Sequence, residues 1–204
     1  MALDLGKDAK QLGSFEIGGL VAAVRGLPPA LWLADATRQQ AFDAHNSTQT
    51  IKLIADGDFR HTNPTVHALF HQLEPDLRPL MDFIRAHHSQ THRQRALAQA
   101  HGAGYFVRVL LTQLPAGAEI GPHIDEGYSL KRAHRIHVPV VTNEATRFRV
   151  GGSVLQMRAG EMWEINNRRI HAVSNEGYDV RIHLILDYVQ PGETVFDAEG
   201  VLTA

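Results

Sequence analysis

Apolar residues in the first half of the chain recur at the spacing of an amphipathic helix. Between Thr65 and about Ala100, every third or fourth position is apolar, which predicts a helix with one face toward a core. Pro75 lies inside this stretch and predicts a break, because proline lacks the amide hydrogen that an inner helical turn requires. The sequence His-Gly-Ala-Gly at 101–104 predicts the end of the helix. Ile51–Ile54 is a short strand candidate, and residues 1–102 are otherwise predicted to be mostly helical.

The pattern changes after Gly104 to short β-branched and apolar runs that are separated by turn residues. Gly151-Gly152 lies between two such runs and is a hairpin signal. Many short strands with tight turns predict a sandwich or barrel. Because helices come first and strands follow, we predict an α+β fold with a β core at about 103–190 and helices packed on one sheet. The predicted strands are Tyr105–Leu114, Arg135–Val141, Phe148–Val150, Val154–Met157, Met162–Ile165, Ile170–Val173 and Val180–Val189.

Size and composition narrow the classes of protein to which this chain can belong. A chain of 204 residues can bury about 70% of its unfolded surface, so residues 1–204 are predicted to form a single domain. The net charge of −2 excludes the basic surface of a general nucleic-acid binder. The absence of cysteine excludes disulfides and thiol nucleophiles. No apolar run is long enough to span a membrane and the N-terminus lacks a signal-peptide core, so we expect a cytoplasmic protein.

Thirteen histidines are an unusually high number for a chain of this length. His123 and Asp125 are two residues apart, so in an extended chain their side chains point to the same face. One such pair is expected about once by chance in this composition, which makes it weak evidence alone. Together with His171 it forms a set of two imidazoles and one carboxylate, the ligand set of non-haem Fe(II) oxygenases. The alternative is a buried polar network without a metal.

Several short motifs follow one another in the β half of the chain. They are Pro122-His123-Ile124-Asp125, Arg135-Ile136-His137-Val138-Pro139, Gly160-Glu161-Met162-Trp163-Glu164-Ile165, His171, and Arg181-Ile182-His183-Leu184-Ile185. In order and spacing, the stretch from Thr112 to Val189 resembles the aspartyl/asparaginyl β-hydroxylase family of Fe(II)/2-oxoglutarate dioxygenases, which includes bacterial cis-proline hydroxylases. The resemblance implies a double-stranded β-helix, a jelly-roll core of the cupin-like type. It also implies Fe(II), 2-oxoglutarate and O₂ as cofactor and cosubstrates.

The resemblance further implies roles for individual residues. His123, Asp125 and His171 are implied to be the iron ligands. Arg181 is implied to bind the distal carboxylate of 2-oxoglutarate, with a cross-strand ion pair to a nearby acid as the alternative. Thr112 falls where the family often has a hydroxyl that contacts the same carboxylate.

Three further residues are candidates for the surroundings of that cosubstrate. Arg135 and His137 are implied to contribute to its pocket, and both lie on one face of their predicted strand; the alternative is that they merely line the pocket or an edge. Arg108 shares a strand face with Thr112, so it is a candidate for contacting a substrate carboxylate. The alternative for Arg108 is a solvated strand residue.

The function implied is hydroxylation of a C–H bond, coupled to conversion of 2-oxoglutarate to succinate and CO₂. We expect a free amino acid or small amino-acid derivative as substrate, because a single domain of this size leaves no extra module to hold a polypeptide. Two alternatives remain open: a hydroxylase of Asp, Asn or another side chain in a protein, and a cupin-like metal- or small-molecule-binding protein without turnover. We expect neither nucleic acid nor membrane as a partner. His87, His88 and His92 are predicted to be exposed.

Overall fold

The computed structural model describes residues 3–35, 47–55, 63–125, 127 and 129–193. Its helices are α1 Gly18–Arg25, α2 Pro29–Leu33, α3 Ala68–His87 and α4 His92–His101. Its strands are β1 Ala9–Ser14, β2 Gln49–Ile54, β3 Tyr105–Leu114, β4 Glu119–His123, β5 His134–Val141, β6 Thr146–Val150, β7 Ser153–Leu155, β8 Glu161–Ile165, β9 His171–Asn175 and β10 Arg181–Val189. No helix within the described ranges has the length and apolar character needed to cross a membrane.

The strands form two antiparallel sheets. The larger sheet has the order β1-β8-β5-β10-β3-β2, and the smaller has the order β4-β9-β6-β7. The chain is therefore a mixed helix-and-sheet protein, as the sequence predicts. The first half contributes more than helices, however, because β1 and β2 form the two edges of the larger sheet.

Each strand predicted from the sequence is present with small shifts at its ends, but two strands were missed. The missed strands are β1 and β4, and both contain glycine and polar residues that weaken the apolar pattern. The second omission matters for function. His123 lies outside the strands predicted from the sequence, whereas it is the last residue of β4 and pairs with β9.

The helix α3 is not broken at Pro75, as the sequence had suggested. It runs through both Pro75 and Pro79, and both prolines are exposed. The apolar face of α3 continues on either side of them, with Leu73, Leu77 and Leu80 all buried. Packing of that face holds the helix together, while water can satisfy the carbonyls that lose a partner at the exposed prolines.

The two faces of the larger sheet carry different residues. In β10, Ile182, Leu184 and Leu186 join the main apolar core with the helices. The alternate residues Arg181, His183 and Asp187 are buried on the opposite face. Buried residues of the smaller sheet, together with residues at strand ends of the larger one, form a second core. The charged and imidazole side chains of β10 thus lie on the side of the smaller sheet.

Candidate functional site

His123 and His171 face each other across two neighbouring strands. They are register partners in β4 and β9, and the centroids of their rings are 4.2 Å apart. Nδ1 of His123 donates to the carbonyl of Gly121 at 2.8 Å, and Nδ1 of His171 donates to the carbonyl of Arg169 at 3.0 Å. A carbonyl can only accept, so these bonds place the proton on Nδ1 and leave the lone pair of each ring on Nε2, the form that binds a metal.

Asp125 completes a group of three ligand-type side chains. It lies two residues beyond the end of β4 and is buried. One carboxylate oxygen is 3.9 Å from Nε2 of His123, and the other is 3.6 Å from Nε2 of His171. Each of the three residues offers one ligand atom, and these atoms lie within 4.8 Å of one another. Burial lowers the pKa of His171, although the charge of Asp125 acts in the opposite direction.

A cavity adjoins this group. It brings together most of the residues predicted from the sequence, and adds others. Phe148 of the smaller sheet is central to it: the ring of His171 stacks on Phe148 with centroids 6.4 Å apart, and the guanidinium carbon of Arg181 lies 5.9 Å from the same centroid. The lining residues are Thr48, Thr112, Ile120, His123, Arg135, His137, Phe148, His171, Val173, Arg181 and Ile185.

Two buried histidines stand beside Arg181 on the same face of the larger sheet. Nδ1 of His183 is 3.5 Å from Nδ1 of His137, and the Nε2 atom of each ring is buried without a hydrogen-bond partner. Burial, reinforced by nearby positive charge that includes Arg181, holds the pKa of both rings well below the ordinary value. Both rings are therefore neutral at physiological pH. The buried Nε2 of His137, which lines the cavity, is a polar atom that a ligand can satisfy.

Arg135 connects Asp125 to a second buried carboxylate. Its Nη1 donates to Asp125 at 2.6 Å, while Nε and Nη2 form two parallel bonds to Asp187 at 2.8 Å. Asp187 also accepts from Nε of Arg108 at 2.7 Å, and Arg108 in turn donates to the hydroxyl of Ser129 at 2.8 Å. Two carboxylates and two guanidinium groups balance in charge, so this network is locally neutral.

The register of the larger sheet produces this network. Asp187 in β10 is the partner of Arg108 in β3 on one side and of Arg135 in β5 on the other. Burial alone would raise the pKa of Asp187, but Arg135 and Arg108 hold it well below the ordinary value. Burial would lower the pKa of Arg135, and Asp125 and Asp187 raise it instead. Arg135 and Asp187 therefore keep their charges at physiological pH.

Sequence reasoning missed Thr48, Phe148 and Asp187. For Asp187 a signal existed, because it follows Arg181 and His183 on one face of an alternating strand. Phe148 was predicted only as a strand residue, and nothing in the sequence indicates that Thr48 meets the cavity. Arg108 is outside the cavity lining: its bonds direct it to Asp187 and Ser129, and a substrate carboxylate would have to displace one of them.

We expect Asp187→Asn to lower the free energy of unfolding by about 1.5–3 kcal/mol, the range for buried hydrogen bonds to charged groups. Asparagine keeps the shape of the side chain but removes the charge that two guanidinium groups share. The measurement is urea-induced unfolding of the apoprotein at pH 7. The matched control is Asp179→Asn, because the Asp179 ion pair with Arg25 is exposed and should change stability by less than about 0.5 kcal/mol. Equal effects for both variants would contradict a structural role for the network.

Comparison with known proteins identifies relatives in sequence and in fold. Residues 91–191 match the model of the family described as Aspartyl/Asparaginyl beta-hydroxylase. No curated protein matches the chain. An oxidoreductase of the 2OG-Fe(II) oxygenase family from Burkholderia pseudomallei is similar in structure, with 15% identity, a TM-score of 0.50, and 91% of this chain and 94% of that chain covered. A prolyl-4-hydroxylase from Pseudomonas putida is similar in structure, with 15% identity and a TM-score of 0.50. The match covers 92% of this chain and 96% of that chain. At this identity, the two structures show a shared fold.

Proposed function

We propose that this enzyme hydroxylates a C–H bond of a free amino acid or a small amino-acid derivative, since residues 91–191 match the model of the aspartyl/asparaginyl β-hydroxylase family. The observation that carries the proposal is the meeting of His123, Asp125 and His171 beside a cavity that also contains Arg181. Fe(II) held by these three side chains would, with 2-oxoglutarate and O₂, supply the oxidising power for hydroxylation, with succinate and CO₂ as the other products.

The donor set supports Fe(II) as the metal. Two neutral imidazole nitrogens and one carboxylate are the ligands of the facial triad, which leaves further coordination positions for cosubstrates. The backbone carbonyls of Gly121 and Arg169 fix the tautomers of His123 and His171. Arg135 holds the carboxylate of Asp125 through a 2.6 Å bond. The three ligands are thus oriented before any metal arrives.

Arg181 is the proposed partner of the distal carboxylate of 2-oxoglutarate. It is 2% exposed, and a planar guanidinium matches a carboxylate with two parallel hydrogen bonds. Thr112 and His137 line the same cavity and are proposed to contribute further hydrogen bonds. Arg135 also lines it, but two carboxylates already accept from its guanidinium, so we assign it chiefly to orienting Asp125.

We propose two further details of the architecture. The two antiparallel sheets are proposed to form a double-stranded β-helix of the cupin-like jelly-roll type, with residues 1–204 as one domain. The joint core supports a single domain, because Leu20 and Leu77 from the first half and Leu184 from the second belong to one cluster.

The test is formation of succinate from 2-oxoglutarate with Fe(II), ascorbate and air. One arm contains a mixture of free amino acids, and a second contains short peptides with internal Asp, Asn and Pro. Succinate above the level without substrate in the first arm is the expected result. Stimulation by peptides alone would instead favour hydroxylation of a protein side chain. If no substrate in either arm raised succinate, the proposed activity would be wrong.

A further inference from the structure

A second group of ligand-type residues lies on the other face of the larger sheet. His88 caps the C-terminal end of α3, His134 is the first residue of β5, and Glu164 lies in β8. All three are buried, and each offers one ligand atom within 4.8 Å of the others. Successive residues of a strand point to opposite faces, so His134 lies opposite to Arg135 and the group is separate from the first site. His88 was expected to be exposed, and this expectation was wrong.

Two atoms of this group have unsatisfied hydrogen-bonding capacity. Nε2 of His88 and Nε2 of His134 are both buried without a partner, although the two rings have centroids only 4.1 Å apart. Burial without a hydrogen bond is costly for Nε2 of His88, and a bound ion is one of the few ways to compensate it. Nδ1 of His134 donates to the carboxylate of Glu164, and a cation that replaces this proton would contact both residues.

The surroundings hold His88 in place. Its ring stacks on Tyr188 with centroids 5.4 Å apart, and the amide of Gln190 donates to its Nδ1 at 2.9 Å. Rotation of that amide would present its oxygen instead, so Nδ1 can carry the proton while Nε2 binds a metal.

One positive charge stands at the edge of the group. Lys10 is the register partner of Glu164 across β1 and β8, and its ammonium is 3.3 Å from Nε2 of His87. This charge opposes a cation, but it is carried on a flexible stem that can turn toward solvent. Glu164 brings the negative charge that a divalent cation needs.

We propose that His88, His134 and Glu164 form a second metal site, which takes a divalent cation of the Zn²⁺ class. Two imidazoles and a carboxylate are a common protein ligand set for Zn²⁺, with water in the fourth position. The site joins the end of α3 to β5 and β8, so the cation fastens the helical layer to the larger sheet. It does not depend on the proposed hydroxylation.

The experiment uses the full chain with His123→Ala and His171→Ala, so that the first site cannot contribute. This background should bind one equivalent of Zn²⁺ by calorimetry in a chelating buffer, and Zn²⁺ should raise its melting temperature. Adding Glu164→Gln should weaken the binding at least about 10-fold, the lower range seen for residues that support metal ligands. Adding His87→Gln is the matched control, since His87 is the neighbour of His88 and lies outside the group; it should leave affinity unchanged.

Two results would overturn the proposal. One is that the His123→Ala, His171→Ala protein, in which His88, His134 and Glu164 are unaltered, binds no equivalent of Zn²⁺. This result does not depend on whether any further variant folds. The other is equal affinity in the Glu164→Gln and His87→Gln proteins, which would assign the binding to exposed histidines. Neither result bears on succinate formation by the wild-type protein, so the two proposals fail independently.

Discussion

His123→Ala and His171→Ala should each abolish turnover and weaken anaerobic binding of Fe(II) by more than about 100-fold. The reason is that each ring supplies one of three protein ligands, and even residues that only support ligands are worth about 10–100-fold in affinity. Nε2 of His123 lies 3.9 Å and Nε2 of His171 lies 3.6 Å from the Asp125 carboxylate, and these two rings are the imidazoles of this group. The measurement is Fe(II) binding by calorimetry without oxygen, together with succinate formation.

The control for this prediction is His92→Ala, a histidine at the exposed start of α4. It should leave both Fe(II) binding and turnover unchanged. If either His123→Ala or His171→Ala kept near-normal activity, the assignment of the ligands would be wrong. In these titrations, the affinity to compare is that of the Fe(II) ion bound by His123, Asp125 and His171. The proposed site at His88, His134 and Glu164 would bind a second ion separately.

Arg181→Ala should raise the Michaelis constant for 2-oxoglutarate steeply and leave Fe(II) binding largely intact. Arg181 is buried at the start of β10 and lines the cavity, so a carboxylate there meets its guanidinium away from water. Loss of one partner from a buried charged pair costs on the order of 2–5 kcal/mol. At about 1.4 kcal/mol per decade, this is roughly 30-fold to several thousand-fold in affinity.

Arg181→Lys should fall between wild type and Arg181→Ala, because lysine keeps the charge but lacks the planar fork. The matched control is Arg149→Ala: Arg149 is an exposed residue next to Phe148 in β6, and its removal should not change the constant for 2-oxoglutarate. If Arg181 served only in a structural ion pair, Arg181→Ala would lower the melting temperature and leave the cosubstrate dependence unchanged. Equal 2-oxoglutarate affinity in wild type and Arg181→Ala would falsify the cosubstrate role.

The sequence determined the local geometry of the site to a useful degree. Alternation in β5 predicted that Arg135 and His137 share one face. The structure places Arg181, Arg135 and His137 around one cavity. Side-chain direction along a strand follows from the backbone of that strand alone, which is why a single sequence can predict it. The order and spacing of the motifs indicated a resemblance to the aspartyl/asparaginyl β-hydroxylase family, whose model residues 91–191 match.

Strand limits were less certain where the pattern was weak. β4 contains glycine and proline, so its place in the smaller sheet could be seen only through its pairing with β9. Similarly, Pro75 predicted a break in α3 from local hydrogen bonding. The break did not occur, because the buried face of the helix continues across the proline. In both cases tertiary contacts outweighed a local preference.

The tertiary structure alone decided which distant residues meet. Asp187 joins Arg108 and Arg135, which are 79 and 52 positions away in the chain, because β10 lies between β3 and β5 in one particular register. His88 reaches His134 and Glu164 only because the end of α3 packs against the helix-facing side of the same sheet. A side chain's own strand fixes the face to which it points. Its partners depend on the order and register of strands and on helix packing, which arise from the burial of the whole core and leave no signal in a local stretch of sequence.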